Sequence, residues 1–212
     1  MYWGEFRAYV NSIMLLLFFL AYNLLSGNSM GFWENLSRSL MVTSTALVTI
    51  ALVLGPLSRF FPKKFTHDLL YRKPLAYSGA VMAFMYFLIA LVAVYRLDIL
   101  AVFSGQNPDF IPWIFWALAM LILAGLAVAS LPYFLNSMGF SKWKMLQATG
   151  YYALLFMLLH ISMLNAGFFL ATISGKTILA FGFIAIGLKF LSILLAVQKK
   201  HSQKEIEILL RE

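Results

Sequence analysis

The sequence predicts an all-α membrane protein built as a bundle of six transmembrane helices. Of its 212 residues, 62% are hydrophobic and only 11% are charged. A spanning helix needs about 20 mostly apolar residues, because nothing in the bilayer core can satisfy exposed backbone groups. Six segments meet this requirement: 9–26, 38–58, 75–96, 111–133, 146–170 and 177–198. They fill most of the chain, so we expect a single transmembrane domain over residues 1–212 with a short cytoplasmic tail at 199–212.

Basic residues set the predicted orientation. Twelve of them fall on the side that holds the N-terminus, the 59–74 loop, the 134–145 loop and the tail, whereas Arg38, Arg96 and Lys176 fall on the other side. The positive-inside rule therefore places both termini in the cytoplasm. The net charge of +8 is interpreted as topology and contact with anionic lipid. The sequence contains no basic run interleaved with aromatic residues on a soluble module, which a nucleic-acid-binding protein would need.

Sequence signals between and within the spans predict further elements. The first apolar run lacks the basic region and the small-residue cleavage site of a signal peptide, so we expect it to be the first span. The 59–74 loop, with Pro62 and Pro74, predicts a short interfacial helix, and the tail is expected to extend the last helix. The tryptophans fall near predicted span ends, where we expect them to lie at the headgroups: Trp3, Trp33, Trp113, Trp116 and Trp143.

Small residues in the spans predict close helix packing. In the third span Gly79 pairs with Ala83 at a spacing of four, so a neighbouring helix can approach there. The fourth span carries Gly125, and the sixth carries Gly182 and Gly187. We therefore expect a compact bundle.

Polar side chains inside the spans are candidate functional residues, because burying them in lipid is unfavourable. They are Asn11, Tyr86, Gln147, His160, Asn165 and Lys189. His160 could ligate haem, relay protons or donate a hydrogen bond to a neighbouring helix, and Tyr86 lies at a similar depth and could face it. Lys189 could extend toward the interface or pair with a haem propionate or a quinone oxygen.

Other chemistry is disfavoured. All eight acidic residues lie outside the predicted spans, which argues against an ordinary proton-coupled transporter and against paired-carboxylate or Ser-His-Asp hydrolases. The chain has no cysteine, which excludes disulfides, thiolate metal sites and thiol catalysis.

Two stretches resemble the ferric reductase-like transmembrane domain family. The first is "LVTIALVLGPLSRFFP" followed by "LLYRKPLAYSG", and the second is "LAVASLPYFLNSMGFSKWKMLQATGYYALLFMLLH". The likeness covers roughly residues 38–170. The family includes the haem subunit of the bacterial periplasmic methionine sulfoxide reductase system and the membrane part of NADPH oxidases. The resemblance implies a protein of the bacterial inner (cytoplasmic) membrane whose third and fifth helices carry haem-ligating histidines.

Carried over to this chain, the resemblance places ligand positions at Arg72, Tyr86, Gln147 and His160, of which one is a histidine. It therefore implies at most one haem b, with its iron on His160. Tyr86 or Met82 could supply a second ligand, Gln147 and Lys189 complete the candidate cofactor site, and a quinone or flavin is an alternative. On an ideal helix Gln147 and His160 lie about 220° apart, so a bulge or curvature is required to turn both toward one interior.

Two functional hypotheses follow, and whether the protein is an enzyme stays open. In the first, it is an electron-transfer subunit that passes electrons through one atypical haem, or a quinone or flavin, to a partner membrane or redox protein. In the second, it is a haem-free structural or assembly subunit of a larger membrane complex that kept the fold and lost the redox centre. The missing histidines at positions 86 and 147 motivate the second hypothesis.

Overall fold

The computed structural model describes residues 3–26, 31–164 and 172–209, and within these residues the chain forms helices and no strand. The helices are α1 (Trp3–Leu25), α2 (Phe32–Phe60), α3 (Pro62–Phe65), α4 (Leu69–Ala93), α5 (Ile99–Val102), α6 (Phe110–Ala129), α7 (Pro132–Met138), α8 (Phe140–Ala148), α9 (Gly150–Met163) and α10 (Ile173–Leu209).

Six helical stretches in the described part of the chain are long and apolar enough to cross a membrane. They are α1, α2, α4, α6, the stretch Lys142–Met163 that joins α8 to α9, and Ile173–Gln198 of α10. The predicted all-α class and six spans are therefore confirmed, while the orientation of the termini stays a prediction. The outer end of the predicted fifth span, including the candidate Asn165, lies outside the described residues.

Several predicted boundaries move for local reasons. α2 begins at Phe32 rather than at 38, because its polar first turns are helical despite their low hydropathy. α4 ends at Ala93 rather than at 96, since Arg96 and Leu97 adopt left-handed backbone conformations with φ of 50° and 67°. The predicted fourth span, 111–133, ends as a helix at Ala129, because the residue before Pro132 is pushed into an extended conformation.

Two smaller predictions of helices are confirmed, while the interfacial position of the first stays a prediction. The loop between the second and third spans contains the short helix α3, which begins at Pro62. The last helix continues past Gln198 to Leu209, so the tail extends it as expected.

The central helix of the bundle is α2. It packs against α1, α4, α9 and α10, and 72% of its most apolar stretch is buried, compared with 11% for α1. Four of its buried hydroxyls donate to carbonyl oxygens one turn earlier in the same helix, at 2.6 to 2.9 Å. The donors are Ser39, Thr43, Thr45 and Thr49. This internal pairing lets a hydroxyl-rich helix occupy a position without access to water.

Two of the predicted small-residue contacts are present. A Cβ on Gly79 of α4 would lie 2.8 Å from the Val48 Cγ2 and 3.2 Å from the Ser44 carbonyl oxygen, both on α2. A Cβ on Gly182 of α10 would lie 2.6 Å from the side chain of Leu158 on α9. These glycines let the helix pairs approach as the sequence predicts.

The same expectation is wrong for Gly125 and Gly187. A Cβ on either residue would meet nothing within 4 Å among the described residues, and both lie on exposed helix faces. Spacing alone does not reveal which face of a helix meets its neighbour.

The fifth span is broken at Thr149, between α8 and α9. The Thr149 hydroxyl donates to the Leu146 carbonyl oxygen at 2.7 Å, and the Tyr152 amide donates to the Thr149 carbonyl oxygen at 2.9 Å. Gly150 follows, buried against α2, where a Cβ would lie 3.2 Å from the Leu52 side chain. The break lies between Gln147 and His160, the interval in which their spacing predicts an interruption.

Candidate functional site

The buried centre of the bundle holds the contact between Tyr86 and His160. The Tyr86 hydroxyl oxygen on α4 lies 2.9 Å from Nε2 of His160 on α9. Tyr86 is 3% exposed and His160 is fully buried. The prediction that these two side chains face one another is confirmed.

Both ring nitrogens of His160 are engaged. Nδ1 lies 2.8 Å from the Pro112 carbonyl oxygen at the start of α6. A carbonyl oxygen can only accept, so Nδ1 carries the proton and donates. In the neutral imidazole Nε2 is then an acceptor, and the Tyr86 hydroxyl donates to it. The partners thus assign one neutral tautomer, and they join α4, α6 and α9 at one point.

Two tryptophans enclose the imidazole. The ring centroids of Trp113 and Trp116 lie 5.1 Å and 4.7 Å from that of His160, and Tyr86 stacks on Trp113 at 5.5 Å. Trp113 is 3% exposed and Trp116 is fully buried, so the prediction that they anchor at the headgroups is wrong. They occupy this position because residues three apart share one helix face, here the face of α6 toward α4 and α9.

The indole N–H groups of both tryptophans find partners inside the protein. Trp116 Nε1 donates to the Ala83 carbonyl oxygen at 3.3 Å, and Trp113 Nε1 donates to the Tyr95 hydroxyl oxygen at 2.8 Å. Tyr95 also accepts from the side-chain amide of Asn107 at 3.2 Å. The connection between α4 and α6 is therefore tied to the aromatic cluster.

The arrangement around His160 does not fit a haem iron. A metal held between two axial ligands needs a bond of about 2 Å on each side, which separates the ligand atoms by about 4 Å. The Tyr86 oxygen and the His160 Nε2 are 2.9 Å apart, and the tyrosine is the hydrogen-bond donor. The other ring nitrogen faces the Pro112 carbonyl. With Trp113 and Trp116 beside the ring, neither nitrogen of His160 is free to ligate an iron in this arrangement.

The second pair of ligand positions implied by the resemblance is also in direct contact. The Arg72 Nη1 on α4 donates to the Gln147 Oε1 on α8 at 3.4 Å. The Arg72 guanidinium lies along Gly55 of α2, with Nη1 at 3.7 Å from where a Cβ would stand. α4 therefore contacts the fifth span through two polar pairs, Arg72 with Gln147 and Tyr86 with His160.

The remaining predicted site residues lie elsewhere. Met82, one turn before Tyr86, lines a groove between α1, α2 and α4. The Lys189 Nζ lies 5.4 Å from the ring centroid of Tyr151, near Arg72 rather than near His160. Asn11 is exposed on α1.

The groove that Met82 lines has a volume of about 600 Å³. Its walls are mostly apolar, as at Leu16 and Val81, and its polar groups include Lys73, Tyr77 and Ser78. The Lys73 Nζ lies 5.9 Å from the ring centroid of Tyr77. An apolar groove with few polar groups suits an amphipathic ligand.

In comparisons with known proteins, no family model and no curated protein matches the chain.

Proposed function

We propose that this protein is a haem-free structural subunit of a membrane protein complex, built on a bundle like that of the ferric reductase-like proteins. The observation that carries the proposal is the engagement of both His160 nitrogens, by Tyr86 and by the Pro112 carbonyl. A histidine that joins three helices in this way stabilises the bundle and has no free nitrogen for a ligand.

The register of α4 against the fifth span supports the ferric reductase-like ancestry within this proposal. Arg72 meets Gln147 and Tyr86 meets His160, which are the two pairs of positions where the resemblance implies ligands on opposite sides of a haem. In this chain the members of each pair touch. The simplest account is a bundle that lost its haems and closed the gaps with hydrogen bonds. The same ancestry supports a place in the bacterial inner membrane.

The outer face of α1 supports a role in association with another membrane protein. Only 11% of its most apolar stretch is buried within the protein. Phe6, Met14 and Phe18 are at least half exposed there. A helix with so much apolar surface can pack against a partner helix or against lipid.

An absorption spectrum tests the haem-free assignment. The protein is purified in mild detergent from haem-replete cells, and its reduced-minus-oxidised spectrum is recorded. We expect no stoichiometric Soret band in the wild type. A stoichiometric band that disappears in His160→Ala and persists in His67→Ala, a control at an exposed loop histidine, contradicts the proposal.

Co-purification tests the structural role. We expect the wild-type protein, solubilised without crosslinker, to recover a membrane partner in stoichiometric amount. A monodisperse protein that never co-purifies with another membrane protein argues against a subunit function.

Electron transfer through a quinone is the second candidate, favoured by the groove along α1, α2 and α4. The groove combines apolar walls with Lys73 and Tyr77, and Met82 places it one helical turn from Tyr86. If this candidate is right, quinone extracted from the purified protein approaches one per chain and falls in Ser78→Trp, which fills the groove. Absence of quinone from the wild type removes this candidate.

A further inference from the structure

Four basic residues from different elements converge at one end of the bundle, the end that the positive-inside rule assigns to the cytoplasm. They are Arg59 on α2, Arg72 on α4, Lys144 on α8 and Lys189 on α10, and we call them the inner basic cluster. The charges of the other three act on Lys189, and that of Arg59 acts on Arg72. Four helices thus bring like charges together.

Two members of the inner basic cluster, Lys189 and Arg72, contact neutral side chains of other helices. The Tyr151 hydroxyl donates to the Leu52 carbonyl oxygen on α2 at 2.8 Å, which fixes the ring. The Lys189 ammonium lies 5.4 Å from the centroid of that ring, close enough for a cation–π contact. The Arg72 guanidinium is held by the Gln147 side-chain oxygen at 3.4 Å. Lys189 and Arg72 are therefore each positioned by a neutral side chain.

No carboxylate balances these charges in the described part of the chain. The charged or ionisable groups acting on Arg72 are Tyr151 and Arg59, and those acting on Lys189 are all basic. On α10 the first acidic residue after Lys189 is Glu205, sixteen residues away, or about 24 Å along the helix. Arg72 and Lys189 are partly buried, whereas Arg59 and Lys144 are exposed. Repulsion between partly buried like charges is unfavourable, so an external anion would stabilise this end.

We propose that the inner basic cluster binds a phosphate group, carried either by an anionic phospholipid headgroup or by a soluble phosphate anion. Arg72 lies in the first turn of α4 and Arg59 in the last turn of α2, so both stand at ends of helices that are long and apolar enough to span a membrane. The arginine fork matches phosphate oxygens, while lysine contributes a point charge on a long stem. Basic pockets between transmembrane helices bind anionic headgroups in this way. The inference holds whether or not the subunit carries a redox group.

Native mass spectrometry of the detergent-solubilised protein tests the proposal. The protein is titrated with phosphatidylglycerol and with phosphatidylcholine, and the preference for the anionic lipid is measured. We expect this preference to fall about five-fold in Lys189→Gln and in Arg72→Gln, the factor expected when one basic residue near an anionic surface is lost. Lys176→Gln is the matched control, since it makes the same change near the start of α10, about 20 Å before Lys189 along the same helix. It should keep the wild-type preference.

A parallel titration with inorganic phosphate separates the two sources. If phosphate alone raises the apparent melting temperature of the wild type but not of Lys189→Gln, the ligand is a soluble anion. If only phosphatidylglycerol is retained, the ligand is a headgroup. The proposal is overturned if the wild type shows neither a preference for phosphatidylglycerol nor a rise in melting temperature with phosphate. It is also overturned if Lys176→Gln loses as much of the wild-type response as Lys189→Gln.

Folding does not confound the test. Should Arg72→Gln fail to fold, Lys189→Gln still decides the test. The Lys189 ammonium lies over the Tyr151 ring, and among the described residues it donates no hydrogen bond between helices that the variant would remove. Arg72→Lys, which keeps the charge, should retain most of the preference.

Discussion

At His160 a single neutral imidazole joins three helices. Its Nδ1 donates to the Pro112 carbonyl and its Nε2 accepts from the Tyr86 hydroxyl, at 2.8 Å and 2.9 Å. Interhelical hydrogen bonds in membrane proteins contribute about 0.6 kcal/mol on average, with a maximum of about 1.7 kcal/mol. Leaving a buried acceptor without a donor is more unfavourable than that average suggests, because the protein interior offers no water in its place.

Replacing Tyr86 by phenylalanine should destabilise the protein by about 1–3 kcal/mol, since the buried Nε2 loses its donor while the aromatic packing is kept. The measurement is the apparent melting temperature in detergent. Tyr152→Phe provides the control, because Tyr152 is 62% exposed and the same hydroxyl is removed at the lipid-facing surface. Equal shifts for the two variants would show that the hydrogen bond contributes nothing measurable.

The sequence predicts some members of this site and hides others. Tyr86 and His160 could be paired because helical rise places them at one depth. Pro112 could not be found, since its contribution is a backbone carbonyl that any residue carries. The preference of tryptophan for span ends predicts the wrong place for Trp113 and Trp116, which are buried in the bundle. Their spacing of three next to a candidate buried histidine was the available signal.

Among the elements, the seam between α2 and α4 sets the geometry of the bundle. Gly79 lets α4 approach the α2 backbone at Ser44 and Val48, and the same α4 carries Arg72 and Tyr86 toward the fifth span. A change at Gly79 therefore acts on the whole interior.

Gly79→Ala should lower stability by about 1–3 kcal/mol, because the new methyl group would lie 2.8 Å from a stiff β-branched side chain and 3.2 Å from backbone. Gly125→Ala is the control, since a methyl group there meets nothing within 4 Å among the described residues. Because alanine is the better helix former, Gly125→Ala should be neutral or stabilising by up to about 1 kcal/mol. Thermal unfolding in detergent compares the two. If Gly125→Ala loses as much stability as Gly79→Ala, the close packing of α4 on α2 at Gly79 is contradicted.

Hydropathy predicts the elements themselves, because the bilayer requires long apolar helices. It does not predict where they break. The turn between α7 and α8 uses Gly139 at φ 74°, a left-handed conformation that glycine adopts freely. Only the spacing of Gln147 and His160 points to the break at Thr149, because an ideal helix would turn the two side chains to different faces.

For the whole molecule, the distribution of basic residues predicts the orientation, and the chain is convenient for testing it because it has no cysteine. Lys63→Cys in α3 and Gln106→Cys between α5 and α6 introduce single thiols at exposed positions on opposite sides. In intact cells a membrane-impermeant maleimide should label the cysteine at position 106 and not the one at position 63. The reverse pattern would invert the topology and move the inner basic cluster to the outer leaflet.

The protein as a whole is a six-helix bundle whose centre is filled by side chains that bind one another. The claim on which this account depends is that His160 is neutral, protonated at Nδ1 and hydrogen-bonded at Nε2. The most direct measurement is ¹⁵N NMR of histidine-labelled protein in lipid, with His67→Gln and His201→Gln leaving His160 as the remaining histidine of the three. We predict one protonated Nδ1 and one unprotonated Nε2, unchanged by added haem. A metal-shifted or paramagnetically broadened ring nitrogen, or a proton on Nε2, would contradict it.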